Sequence, residues 1–234
     1  MKFSKLNNET IVLICARGGS KGIKDKNLLK IKKKSLLKIT INKIKKLKFK
    51  NICLSTDNKK IMEEAKANGV ECFFKRSKRL SGHNISKLNV WKDSIKRSEI
   101  YFKKKFSFML DIDVSNPLAD HNELRKFVQI YRKKYKNCDG MFCASKSWKN
   151  PYFNILEKKN SKFIVSKSSK KIISRQKAPV TFDHIAAFYF FKVQYIYKTN
   201  FLFNGKLEKY DLPFYKSIDI DDRDDYEMVK KLAK

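Results

Sequence analysis

The 234-residue sequence is 42% apolar and 13% aromatic, enough to bury a core in one domain or one domain with a small appendage, which excludes disorder throughout. Seven glycines and four prolines exclude collagen-like and Pro/Gly-rich low-complexity chains, and the longest apolar run, Ile11 to Ala16, is far too short to cross a bilayer. A net charge of +32 raises nucleic acid as a partner, but the lysines are scattered over nearly every segment and Asn and Ile are also abundant, the pattern of AT-rich coding bias; nucleic-acid binding is the secondary reading.

No apolar segment of signal-peptide length follows Lys2 and Lys5, so a cytoplasmic protein without a membrane partner is expected. Thr10 to Cys15 reads as a strand, followed by a glycine-bearing loop. A helix over Ser35 to Lys48 comes next, with Leu36, Leu37, Ile41, Ile44 and Leu47 on one face. Asn51 to Ser55 is a second strand, and Lys59 to Asn68 a helix capped ahead by Thr56-Asp57-Asn58 and stopped at Gly69. Val70 to Phe74 reads as a third strand, Ser86 to Ser98 as a helix and Phe106 to Ile112 as a buried strand. Asp120 with Glu123 resembles a capping box opening a helix toward Tyr135, and Gly140 to Ala144 supplies another strand.

Strands alternating with helices predict an α/β fold: a mostly parallel sheet covered on both faces, since parallel neighbours need crossover connections. From Asn150 the texture changes. Tyr152 to Glu157 and Lys162 to Ser166, around a Lys-Lys-Asn turn, predict a β-hairpin. Strands at Ala186 to Phe191 and Tyr215 to Ile220 and a last helix from about Asp222 to Lys231 complete the chain. The expected organisation is one domain over residues 1–234, with an inserted arm at 150–180.

Five cysteines form no CxxC pair and three histidines show no metal-ligand spacing, so neither is assigned chemistry. The strongest motif is Ala16-Arg17-Gly18-Gly19-Ser20-Lys21-Gly22-Ile23, continuing to Lys26-Asn27, directly after the first strand. Ligands of open α/β sheets bind beyond the carboxyl ends of strands, and glycines let backbone N–H groups approach phosphate oxygens. Arg17, Lys21 and Lys26 add cations and Ser20 a hydroxyl, so the segment reads as a polyphosphate cradle. Its spacing fits neither GxxxxGK[ST] nor GxGxxG. The second motif is Asp219-Ile220-Asp221: in an extended chain both carboxylates project from one face and can share a hard cation such as Mg²⁺, while Ile220 packs inward. Asp222, Asp224 and Asp225 suit the N-terminus of the last helix.

The cradle, the Ser55-Thr56-Asp57 strand end and the terminal SIDIDDRDDY resemble the acylneuraminate cytidylyltransferases, from about Ile11 to the C-terminus. The resemblance implies a nucleotide-diphospho-sugar transferase fold, a homodimer formed through the inserted arm, Mg²⁺, and CTP with a nonulosonic acid as substrates, giving CMP-sugar and pyrophosphate. It implies that Ala16, Arg17, Ser20, Lys21, Lys26 and Asn27 bind CTP, with Arg17 and Lys21 stabilising charge on the triphosphate. Asp219 and Asp221 would hold the metal, and Asp221 would also help deprotonate the acceptor hydroxyl. Phe74-Lys75-Arg76 through Leu80-Ser81-Gly82 is similar to the family's RPxxLSGD nucleotide loop, implicating Arg76 and Ser81, with Ser77 in place of Pro and His83 in place of Asp. DIDVSNPLA, Asp111 to Ala119, resembles the QPTSPLR element in the form associated with legionaminate-type members. Asp113 then takes the Gln position and Ala119 the Arg position. Arg175-Gln176 matches the pair facing the sugar acid, Arg175 toward its carboxylate, and Ile185 stands where the following strand would carry Asn. Activation of a 3-deoxy-octulosonate or another sugar, and a polyanion-binding or RNA-binding module, are the alternative readings.

Overall fold

A computed structural model describes residues 2–20, 22–167, 172 and 174–233, with Arg175 described by its backbone alone. Helix α1 (Phe3–Glu9) leads into β1 (Thr10–Cys15), then a loop and the short pair β2 (Lys30–Ile31) and β3 (Lys34–Ser35). Next come α2 (Leu36–Lys46), β4 (Ile52–Ser55), α3 (Lys59–Ala67), α4 (Lys78–Ser81) and α5 (Lys87–Tyr101). The chain continues through β5 (Phe108–Ile112), α6 (His121–Lys134), β6 (Gly140–Lys146), β7 (Leu156–Lys159) and β8 (Lys162–Val165). It closes with β9 (Phe182–Lys192), α7 (Val193–Lys198), β10 (Leu207–Asp211) and α8 (Arg223–Leu232).

The main sheet has six strands in the order β10-β6-β9-β5-β1-β4. Strand β1 runs parallel to β4 and β5, and β10 parallel to β6, while β9 is antiparallel to both its neighbours. The continuous apolar run Ile11 to Ile14 places β1 centrally, because only a strand covered on both faces can bury every side chain. One face carries α2, α3, α6 and α8 through residues such as Leu37, Ile61, Phe127 and Val229; the other carries α5 and α7 through Trp91, Ile95 and Ile196. The helices begin at side-chain caps the sequence supplies: Ser35 for α2, Asn58 for α3, Ser86 for α5, Asp120 for α6 and Asp222 for α8. Among the described residues no helix is long and apolar enough to cross a membrane.

Four expectations need correction. Val70 to Phe74 is no strand: β4 ends the sheet, and Phe73 turns to stack on Tyr101 at 4.1 Å instead of pairing there. Tyr215 to Ile220 is also unpaired as a strand; a 3₁₀ turn covers Phe214–Lys216, and the edge position is filled by β10, whose Leu-Glu-Lys-Tyr-Asp sequence buries only Tyr210. The hairpin arm exists, but it is shorter than expected and its turn falls at Asn160 and Ser161, with Lys159 opposite Lys162. Finally, the box at α6 is half formed: Asp120 accepts from Asn122 and Glu123 N–H, while the Glu123 carboxylate takes the Tyr210 hydroxyl at 2.6 Å and the Lys216 ammonium at 3.1 Å. The complete box lies at α8, between Asp222 and Asp225.

Candidate active site

Because β1, β4 and β5 are parallel, their carboxyl ends open on the same side, and there the loops form a cleft of about 560 Å³. That volume suits a nucleotide-sized ligand. The loop after β1 is held from several directions. Gly18 N–H donates to Asp57 Oδ1 at 2.8 Å, Asn27 Nδ2 to the Arg17 carbonyl at 2.9 Å, and the Arg17 guanidinium to the Gly82 carbonyl at 3.2 Å.

The acidic segment comes from the far end of the chain to meet this loop. Ile220 anchors it, fully buried and with its N–H on the Ser115 carbonyl at 2.9 Å. Gly22 lies so close that a Cβ there would sit 1.8 Å from the Asp221 carbonyl oxygen. Lys26 Nζ pairs with Asp221 Oδ1 at 3.0 Å. Asp219 and Asp221 line the cleft together with Arg17, Ser20, Lys26 and Asn27. Cationic loop and carboxylate pair therefore face one space.

Asp219 is the exceptional member. Its Oδ1 is buried without a hydrogen-bond partner, and burial, with Asp113 and Asp221 nearby, pushes its carboxyl up to about 6. An uncompensated carboxylate beside a second one is the donor set a hard divalent cation satisfies. No cluster of three or more His, Cys, Asp or Glu side chains forms a ready-made cage among the described residues, so phosphate or water oxygens would complete a shell.

The other expected site residues sort by placement. Arg76 lines the cleft, but its guanidinium is buried against β4, with Nε on Ser55 Oγ at 3.0 Å and a terminal nitrogen on the Ser55 carbonyl at 2.5 Å. Ala16 is buried with its N–H on the Ser55 carbonyl, inside the sheet. Ser81 donates to the Ser77 carbonyl, while its neighbours Leu80 and Gly82 face the cleft. Asp113 lines the cleft with both oxygens engaged: Oδ1 accepts from Ser115 N–H and hydroxyl, and Oδ2 from Lys87 at 2.7 Å. Gln176 is exposed and outside the residues lining this cleft. Lys21 and the Arg175 side chain lie outside the described residues. At the positions departing from the family pattern, Ala119 and Ile185 are buried, whereas His83 borders the cleft.

Three contributions escaped the sequence reading. Lys87, the first residue of α5, sits between Asp111 and Asp113; it was hidden because lysines abound and its partners are 24 and 26 residues away. Asp57 belongs to the Ser55-Thr56-Asp57 motif noted above, but its part in orienting the first loop, by accepting the Gly18 N–H, shows only in the fold. Lys43 is buried behind the site and donates to the Asn116 carbonyl at 2.9 Å, bracing the residue whose side chain bonds Asp219. Burial pulls the Lys43 amine down to about 7. Between about pH 7 and 10 the unfolded chain therefore binds the extra proton, so this group makes stability rise with pH across that window. Lys43→Met should flatten that rise, which thermal melts of both proteins at pH 7 and pH 10 will show; parallel pH profiles would refute the burial of an amine here.

Comparison with known proteins adds an independent line. The family profile described as Cytidylyltransferase matches residues 11–234. The chain is 33% identical to "Post-translational flagellin modification protein B" of Campylobacter coli, over 97% of this chain and 96% of the relative. It is 34% identical to "CMP-N,N'-diacetyllegionaminic acid synthase" of Campylobacter jejuni, over 96% and 94%. Among solved structures, a CMP:2-keto-3-deoxy-manno-octonic acid synthetase complexed with CTP superposes with a TM-score of 0.66 at 13% identity, covering 96% of this chain and 98% of that one; at that identity the likeness speaks to fold.

Proposed function

The chain belongs to the cytidylyltransferase family, and on that premise we propose that it joins CTP to a nonulosonic acid of the legionaminic type, giving a CMP-sugar and pyrophosphate with Mg²⁺ bound. The observation that carries this reading is the closure of the cradle on the acidic segment, with Gly22 against Asp221 and Lys26 paired to it. A triphosphate lying in the cleft meets cations on one wall and a carboxylate pair on the other.

The acceptor hydroxyl attacks the α-phosphorus of CTP and the bond to pyrophosphate breaks. Arg17, Lys21 and Ser20, with the glycine-bent backbone, hold the triphosphate and stabilise charge on the departing pyrophosphate. Asp219 and Asp221 are the residues that would hold a divalent cation, which would supply charge neutralisation to the phosphates. Lys26 keeps Asp221 in place. Asp221, exposed at the mouth, is the carboxylate that can receive the hydroxyl proton. Arg76 stiffens the floor through Ser55, and Arg175 and Gln176 are assigned to the sugar acid on the strength of their sequence motif alone.

Two copies of the chain pair through the 150–180 arm. In support, the hairpin leaves Leu156 and Phe163 more than half exposed, an apolar surface a second copy would cover. Such an enzyme works where CTP is made, in the cytoplasm.

The test is pyrophosphate release from each of the four nucleoside triphosphates against legionaminic, pseudaminic and sialic acids and a 3-deoxy-octulosonate. We expect turnover with CTP alone and the highest kcat/KM with legionaminic acid. No release from CTP with any acid would refute the reading.

A further inference from the structure

Lys87 is an anomaly of placement. It is the first residue of α5, the end of a helix where a cation is disfavoured. Yet its Nζ stands 2.7 Å from Asp111 Oδ2 and 2.7 Å from Asp113 Oδ2, over the Tyr189 ring at 4.9 Å, on the wall of the cleft. Asp111 is fully buried in β5, where an unpaired carboxylate would be costly. Burial alone would lower the proton affinity of Lys87, and the two carboxylates more than reverse this, so the group is an ammonium. Lys87 together with Ser115 draws Asp113 down to about 2 against the opposing effect of burial.

Three carboxylates, Asp113, Asp219 and Asp221, thus line the cleft, with Asp111 buried behind Asp113, and the four are not equivalent. Asp111 and Asp113 share one ammonium and Asp221 pairs with Lys26, whereas Asp219 lines the cleft with a buried oxygen that has no partner; the other unpartnered buried oxygen of the four, Asp111 Oδ1, lies within the sheet on a carboxylate already paired to Lys87. One cation bridging two carboxylates at 2.7 Å occupies the place a divalent ion would take between them.

We propose that Lys87 is a tethered stand-in for a second divalent ion: by bridging Asp111 and Asp113 it withdraws both from metal binding and limits the cleft to one cation, on Asp219 and Asp221. The inference rests on the metal site of the proposed function and deepens it. A lysine on a helix cannot dissociate, so this positive charge is present on the cleft wall whatever the metal concentration. Lys87 acts as a positioning residue, since it also fixes Asp113 and through it the Ser115 loop on which Ile220 is anchored.

The experiment counts ions without turnover. Free Mn²⁺ is titrated into wild type, Lys87→Arg and Lys87→Gln, reading the loss of the aqueous Mn²⁺ EPR signal in the absence of nucleotide, with far-UV circular dichroism checking the fold of each. Lys87→Gln removes the ammonium and leaves both carboxylates, Asp111 and Asp113, in place. We expect one ion per chain in wild type and Lys87→Arg, and two in Lys87→Gln, whose fold the second ion stabilises by restoring the missing charge. Two ions in wild type, or one ion of wild-type affinity in a folded Lys87→Gln, or no stabilisation of Lys87→Gln by Mn²⁺ beyond that of wild type, would overturn the proposal. Failure of CTP turnover would sink the functional reading and leave this count standing on its own.

Discussion

Asp219→Asn is expected to lower kcat for pyrophosphate release by about 100-fold to 1,000-fold, the scale seen when one preorganised electrostatic group is removed from a site of charge development. The substitution keeps the shape of the side chain and removes the anion. On the proposed function, CTP is gripped chiefly by the loop after β1, so its KM should change only a few-fold, and the loss should deepen as magnesium is lowered. Stability should move the opposite way. Folding raises the proton affinity of this carboxyl, so at neutral pH, above the folded value of about 6, the ionised group opposes folding. The amide therefore raises the thermal midpoint of the metal-free protein. Wild-type turnover at low magnesium, or a lowered midpoint, would remove Asp219 from the role given to it.

Gly22→Ala should be nearly as damaging for a purely spatial reason. A methyl group there would lie 1.8 Å from the Asp221 carbonyl oxygen, so the loop and the acidic segment must part by more than an ångström. Displacements of that size around a reacting centre cost about 100-fold. Far-UV circular dichroism should be unchanged, because Gly22 lies outside the helices and strands. Gly19→Ala is the informative companion, since its added methyl meets no protein atom within 4 Å. Loss of activity at Gly19 would therefore report a ligand lying on the backbone, whereas loss at Gly22 reports the contact between two chain segments. Gly22→Ala with more than half the wild-type kcat/KM would break the link between cradle and carboxylates on which the mechanism depends.

The layered α/β architecture was legible because its signals are local. Strand β1 is an uninterrupted apolar run, α2 repeats Leu36, Leu37, Ile41 and Ile44 on one face, and Ser86 and Asp120 announce the helices they cap. Strand β10 was missed because an edge strand with a single buried side chain carries almost no pattern. The expected strand at Tyr215 to Ile220 erred in the other direction. Its alternation is real, but it serves to bury Ile220 beneath Ser115 while Asp219 enters the cleft, with no partner strand involved. In the site, the motifs at Arg17 to Asn27 and Asp219 to Asp221 could be found because each is contiguous. The Lys87 bridge could not, because one lysine among many acquires meaning only when β5 and α5 are packed side by side.

Strand β9 has a consequence for how the molecule comes into being. The strands β5, β1 and β4 form one block drawn from the first half of the chain, β6 lies apart from them, and β9 is the wedge that joins the two after the whole hairpin arm has been passed. Closure across such sequence separations is slow. During synthesis, then, the nascent protein holds two unfinished sheet margins until residue 192 has emerged, and the catalytic geometry, which also needs the segment around residue 220, is the last thing to be born.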